Sequence, residues 1–180
     1  MGDVTIRKAK VADADSILRL VNALAKDQLM LPRSPASIIE NLRDFVVAEQ
    51  DGRFAGCGGL HVVWSDLAEI RSIAVEPELQ RSGLGRRMAE QLIDEARELG
   101  VAKVFAFTYV PGFFERLGFG VVEHGSLPHK VFGDCMNCPK FNACDEIAML
   151  RVLMESTATH EKGPLSLPLT GLPLPTKTPR

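Results

Sequence analysis

AEIRSIAVEPELQRSGLGR, residues 68–86, is the stretch around which the rest of the chain is organised. From Glu69 to Val75 the residues are β-branched or small with charged insertions, which suits a strand, and Pro77 cannot continue a ladder, so the strand is predicted to end there. Gln80-Arg81-Ser82-Gly83-Leu84-Gly85 follows and leads into an amphipathic helix. Glycines at 83 and 85 let a backbone approach a ligand closely. The helix start beside them aims N–H groups without intrahelical partners, and the positive end of its dipole, at that ligand. The stretch reads as a pyrophosphate cradle, although two-glycine loops also serve as plain strand-to-helix turns. The glycine order is wrong for the dinucleotide fingerprint G-x-G-x-x-G, and the G-K-[ST] of a nucleotide-binding loop is absent.

Outward from this stretch the periodicities alternate between two and 3.6. Val4 to Lys8 alternates as a first strand, and Asp13 or Asp15 can cap a helix carrying Ile17, Leu18, Leu20, Val21 and Leu24. Ser34 before Pro35 is an N-cap and first helical position for a second helix reaching about Arg43. Residues 45–49 and 54–63 flank Asp51-Gly52 as a hairpin, with glycines at 56, 58 and 59 where another backbone or a ligand comes close. A helix over 84–99 stops at Gly100, a strand spans 101–108, and Pro111 starts a short helix ended by Gly118. Strands over 119–123 and 147–154 complete a βααβββαβαββ order. This predicts an α/β fold, a mixed central sheet flanked by helices on both faces. Residues 1–155 read as one domain, and residues 156–180, rich in proline, as a tail without a core of its own.

With 180 residues, 46% of them hydrophobic, the chain can bury one substantial core. A net charge of -2 gives no reason to expect nucleic acid or an anionic membrane as partner. No apolar run resembles a signal peptide or a membrane span, so a cytoplasmic location is expected, with the four cysteines as thiols or metal ligands.

Q-x-x-G-x-G after E-I-x-x-I-A-V, with Arg81 and Arg86, resembles the acetyl-CoA-binding motif of the GNAT acetyltransferase superfamily. The resemblance implies the GNAT fold and acetyl-CoA held by Ile73, Ala74, Val75, Gln80, Arg81, Ser82, Gly83, Leu84, Gly85 and Arg86. It also implies a bulge in the central strand that frees a main-chain N–H near Ile73 or Ala74 for the oxyanion. Residues 31–34, 67–75, 107–114 and 127–132 further resemble the short, stand-alone N-acetylglutamate synthases of bacterial arginine biosynthesis. That likeness covers residues 4–154, implies L-glutamate as acceptor and carries the expectation of a homodimer.

Acetyl transfer to an amine needs a proton acceptor, and Glu69 stands where a glutamate serves as base in the histone acetyltransferase branch. Many members protonate the leaving thiolate with a tyrosine before the L-G-F turn, but here Phe114 leads into Glu115-Arg116-Leu117-Gly118-Phe119. Tyr109, the only tyrosine, is then the phenol available. An acceptor with two carboxylates calls for cations. Arg71 is two residues from Glu69 and shares its face of the strand, so base and clamp can share a site, with Arg33 and Lys130 as further cations. Glutamine, another amino acid or a protein amine would satisfy much of the same pattern. Cys135, Cys138 and Cys144, spaced C-x-x-C-x5-C, can share a zinc ion with His129, His124 or Cys57, or hold an iron–sulfur cluster, or remain reduced thiols. A reading from another class is a non-catalytic acetyl-CoA-binding or metal-responsive module.

Overall fold

Two apolar faces run along the middle strands, and each is covered by its own helices. The computed structural model describes residues 3–127 and 144–154. Within them β1 (Val4–Lys8), β2 (Phe45–Gln50), β3 (Arg53–Trp64), β4 (Leu67–Val75), β5 (Lys103–Thr108), β6 (Gly120–Val121) and β7 (Ile147–Val152) form one seven-stranded sheet. Its order is β1-β2-β3-β4-β5-β7-β6, antiparallel throughout except where β4 meets β5. The helices are α1 (Ala14–Lys26), α2 (Pro35–Glu40), α3 (Leu84–Glu98) and α4 (Pro111–Glu115). This is the order expected from the sequence. The tail, Lys130, Cys135, Cys138 and His129 lie outside the described residues. No helix among the described residues is long and apolar enough to cross a membrane.

On one face Val46, Ala48, Leu60, Ala68 and Ile70 pack against Met88, Leu92, Ile93 and Ala96 of α3. On the other, Phe45, Val47, Cys57 and Ala74 pack against α1 and Ile38 of α2. Strand alternation explains the split in β2, where 46 and 48 face α3 while 45 and 47 face α1. In β4 the alternation slips: Ala68 and Ile70 face α3, and so do Ile73 and Val75, three residues on. The register shows why, moving from Gly59↔Arg71 to Cys57↔Ala74, so that Ser72 and Ile73 stand opposite Gly58 alone. This is a β-bulge, with Ser72 at φ +54°. Gly58 makes room for it, since a Cβ there would lie 2.4 Å from Ile73 Cδ1.

Several boundaries differ from expectation. α2 ends at Glu40, and a 3-10 turn, Leu42–Asp44, replaces its last predicted turn. Leu42 and Phe45, on either side of this turn, are both buried in the core. The strand expected over 119–123 pairs only at Gly120–Val121, and the last strand stops at Val152. Asp13 occupies the N-cap position of α1 but does not cap it with its side chain. Its carboxylate instead accepts hydrogen bonds from Arg7 Nη1 at 2.7 Å, Arg7 Nη2 at 3.0 Å and the Lys10 N–H at 2.7 Å. Glu49 of β2 joins Arg7 from the other side, so one guanidinium ties β1, β2 and the entry to α1 together.

The Arg7 hydrogen bonds hold Asp13 below its ordinary value of 3.8, against the opposing effect of burial. A depressed native value favours folding wherever the carboxylate is ionised, and that contribution disappears as acid protonates it. Asp13→Asn is therefore expected to lower the Tm at pH 6 by roughly 3–12 °C, given about 1.5–3 kcal/mol for hydrogen bonds to a charged group and about 2–4 °C per kcal/mol at this size. The gap from wild type should narrow as pH falls below 3.8. Thermal melts across pH 6 to 2.5 check this; a gap of constant size speaks against it.

Candidate functional site

β4 and β5 pair only from Leu67↔Lys103 to Glu69↔Phe105, although β5 continues to Thr108. Beyond Glu69 the two strands part. A cavity of about 770 Å³ occupies the opening, lined among others by Leu24 and Met30, by Arg71, Ser72 and Ile73 of β4, and by Gln80, Arg81, Gly83, Gly85 and Arg86 of the loop and α3. Phe107, Thr108, Phe113, Arg116 and Glu146 line its far side.

The loop end has the geometry of an anion cradle. Gly83 takes φ +86° at the N-cap of α3, in the left-handed region where a side chain is costly. Ser82 Oγ donates to the Leu79 carbonyl at 2.6 Å, and Gln80 Nε2 to the Val75 carbonyl at 3.3 Å, so both side chains brace the loop. A Cβ on Gly85 would project between Val75, Phe113 and Ile73, all of them lining residues. Of the predicted acetyl-CoA residues, Ile73, Val75, Gln80, Arg81, Gly83, Gly85 and Arg86 line the cavity. Ala74, Ser82 and Leu84 do not: Ala74 faces α1, Leu84 is the buried first residue of α3, and Ser82 closes the turn. What these three can offer a ligand is main chain. Arg81 and Arg86, on either side of the two glycines, line the cavity and are cations suited to phosphates.

Main chain at the bulge is also prepared. The Cys57 thiol lies 3.8 Å from the Ser72 carbonyl, which accepts from it. In a trans peptide the N–H opposes the C=O, so the Ile73 N–H points away from Cys57. Burial, together with the charge of Glu76, pushes the Cys57 thiol up to about 12. Cys144 is exposed, and among the described residues no three His, Cys, Asp or Glu side chains stand together as a metal site. His124 stacks on Phe107 with ring centroids 5.4 Å apart.

Glu69 and Arg71 share a face, as the spacing predicts, and touch: Arg71 Nη1 is 3.7 Å from Glu69 Oε2. The Arg71 side chain is 5% exposed and lines the cavity, whereas Glu69 stands beside it and outside the lining. Asp44 Oδ2 lies 3.5 Å from Arg71 Nη2 and 2.6 Å from His61 Nδ1. Arg33 is half-buried in the loop after α1, its backbone N–H and C=O both hydrogen-bonded at 2.9 Å to the Asn22 side-chain amide. Tyr109 stands apart from the cavity: it is not among the lining residues, and its phenol donates to Asp145 Oδ1 at 2.8 Å. The hydroxyl that does line the cavity is that of Thr108, 4% exposed, whose Oγ1 accepts from the Val110 N–H at 3.0 Å. Sequence reasoning did not reach Asp44, His61, Thr108, Arg116 or Glu146. Thr108 and Arg116 lie inside quoted motifs, but Asp44 and His61 carry no local signal.

Residues 19–119 match the acetyltransferase (GNAT) family. An uncharacterized N-acetyltransferase of Chlorobaculum tepidum is 43% identical over 151 residues, which cover 84% of this chain and 97% of that one. An amino-acid acetyltransferase of Mycobacterium tuberculosis is 36% identical over 132 residues, 72% of this chain and 75% of that one. The crystal structure of N-acetylglutamate synthase from Neisseria gonorrhoeae, complexed with coenzyme A and N-acetyl-glutamate, superposes with a TM-score of 0.77 at 28% identity. The match covers 86% of this chain and 36% of that longer one.

Proposed function

The chain belongs to the acetyltransferase (GNAT) family, and on that premise we propose that it acetylates the α-amine of L-glutamate from acetyl-CoA, the first step of arginine biosynthesis. The observation that carries the reading is the Arg71–Glu69 pair, whose guanidinium lines the same cavity as the glycine loop. An α-amino acid holds its ammonium and carboxylate two bonds apart, and a guanidinium 3.7 Å from a carboxylate is complementary to that pair of charges. The name of the M. tuberculosis relative and the ligands of the N. gonorrhoeae enzyme support the same reading.

In this reading acetyl-CoA lays its phosphates along Arg81, Gly83, Gly85 and Arg86 and its thioester between the parted strands. Arg71 takes the α-carboxylate, and Arg33 and Lys130 are proposed for the side-chain carboxylate. Glu69, directly or through water, accepts one proton from the ammonium, and the neutral amine attacks the thioester carbon. The Ile73 N–H stabilises the oxyanion as it forms. The C–S bond then breaks, and the second amine proton reaches the departing thiolate through the Thr108 hydroxyl. Thr108 replaces Tyr109 in this role because it lines the cavity, while the Tyr109 phenol is engaged by Asp145.

Thiol release from acetyl-CoA, with product mass, tests the proposal against glutamate, glutamine, other amino acids and a lysine peptide. The highest kcat/KM is expected with glutamate, whose product gains one acetyl group. Preference for glutamine would remove the double-carboxylate requirement and keep the chemistry. Binding of acetyl-CoA without thiol release for any acceptor would favour a binding module instead.

A further inference from the structure

We infer that Asp44 is a positioning residue for acceptor binding: it fixes the guanidinium of Arg71, and His61 fixes Asp44. The inference rests on the reading of Arg71 as the carboxylate clamp. The construction begins with the 3-10 turn Leu42–Asp44, pinned at both ends by burial of Leu42 and Phe45 and closed by the Asp44 N–H donating to the Asn41 carbonyl at 3.0 Å. Asp44 therefore has little freedom of backbone. Its Oδ2 receives Arg71 Nη2 at 3.5 Å from β4 and His61 Nδ1 at 2.6 Å from β3. Gly59 stands opposite Arg71 in the register, and a Cβ there would meet the Phe45 ring at 3.7 Å and Arg71 Cγ at 3.8 Å, ordinary contact distances.

The two nitrogens at the guanidinium tip are engaged by different carboxylates, Nη1 by Glu69 at 3.7 Å and Nη2 by Asp44 at 3.5 Å. Two anchors on one planar group set its orientation, where a single ion pair would let it rotate. At these lengths each contact is an ion pair rather than a strong hydrogen bond, so an incoming carboxylate can approach at shorter range. Asp44 does not line the cavity. Its action is on the rotamer of Arg71.

Steady-state kinetics on Asp44→Asn, His61→Ala and His61→Asn tests this. Asp44→Asn keeps the shape of the side chain and removes its charge; the KM for glutamate is expected to rise about tenfold, with kcat within threefold and the KM for acetyl-CoA within twofold. His61→Ala should raise the glutamate KM about threefold. His61→Asn, whose amide nitrogen can take the place of Nδ1, should restore it. A purely structural role would instead lower the Tm and the amount of active enzyme without separating the two KM values. The inference is overturned if Asp44→Asn and His61→Ala leave the glutamate KM within twofold, or raise both KM values equally. Should Asp44→Asn fail to fold, the His61 pair decides by the same criteria. If wild type does not use glutamate, the reading of the acceptor fails by itself, and the Asp44 variants are scored on the carboxylate-bearing acceptor it does use. Use of carboxylate-free amines alone would overturn both.

Discussion

Arg71→Ala is expected to raise the KM for glutamate about a hundredfold or more, while the KM for acetyl-CoA stays within a factor of about two. The guanidinium is 5% exposed at the cavity wall, and it is flanked by Glu69 and Asp44. Removing one partner of a desolvated charge pair typically costs about 2–5 kcal/mol, roughly 30- to several-thousand-fold in affinity. Two effects add here. The substrate carboxylate loses its partner, and Glu69 and Asp44 are left facing the same space with negative charge. Arg71→Lys should fall between wild type and alanine, because a lysine keeps the charge and loses the planar fork that meets two carboxylates and a substrate at once. The two-substrate kinetics of both variants decide the matter. An unchanged glutamate KM in Arg71→Ala, with wild-type folding, would mean that the acceptor carboxylate binds elsewhere.

What was legible in the sequence depended on how far apart the cooperating residues lie. The glycine loop is local: strand, Pro77, Gly83 and the helix over 84–98 occupy consecutive residues, and their chemistry fixes their geometry before any tertiary contact forms. The Glu69–Arg71 pair is legible for the same reason, because a period of two puts both on one face. The bulge between them and the loop was expected only by resemblance. Yet its trace is in the spacing of Ala68, Ile70, Ile73 and Val75, where the step changes from two to three. Asp44 and His61 could not be read this way. They lie 27 and 10 positions before Arg71 in the chain, and the pairing of three strands, rather than any motif, brings them to it. Tyr109 was chosen as the lone phenol near the right strand end; its hydroxyl donates to Asp145, 36 residues away, a direction that no local motif gives. Glu76, in the turn after β4, is paired with Arg19 of α1 across 57 residues, a contact with no local signal either.

The proton acceptor carries the other large expected effect. Two carboxylates border the acceptor end: Glu69, 15% exposed beside Arg71, and Glu146, half-buried in the cavity lining next to β7. If Arg71 holds the α-carboxylate, the ammonium two bonds away falls toward Glu69, the group already in contact with that guanidinium. Glu146 belongs to the opposite wall, beside Ile147, which pairs with Thr108. Glu69→Gln preserves the shape and removes the base, and it is expected to lower kcat/KM about 10²- to 10⁴-fold at pH 7, the usual contribution of a positioned general base. The deficit should shrink as pH rises, because the free amine then forms in solution and no longer needs the enzyme to deprotonate it. Glu146→Gln should cost less than about tenfold, with a pH profile parallel to wild type. Measuring kcat/KM for both variants from pH 6 to 10 separates the assignments. A large, pH-dependent loss in Glu146→Gln with a small one in Glu69→Gln would move the base to the other wall of the cavity and turn the bound amino acid around, its ammonium toward β7.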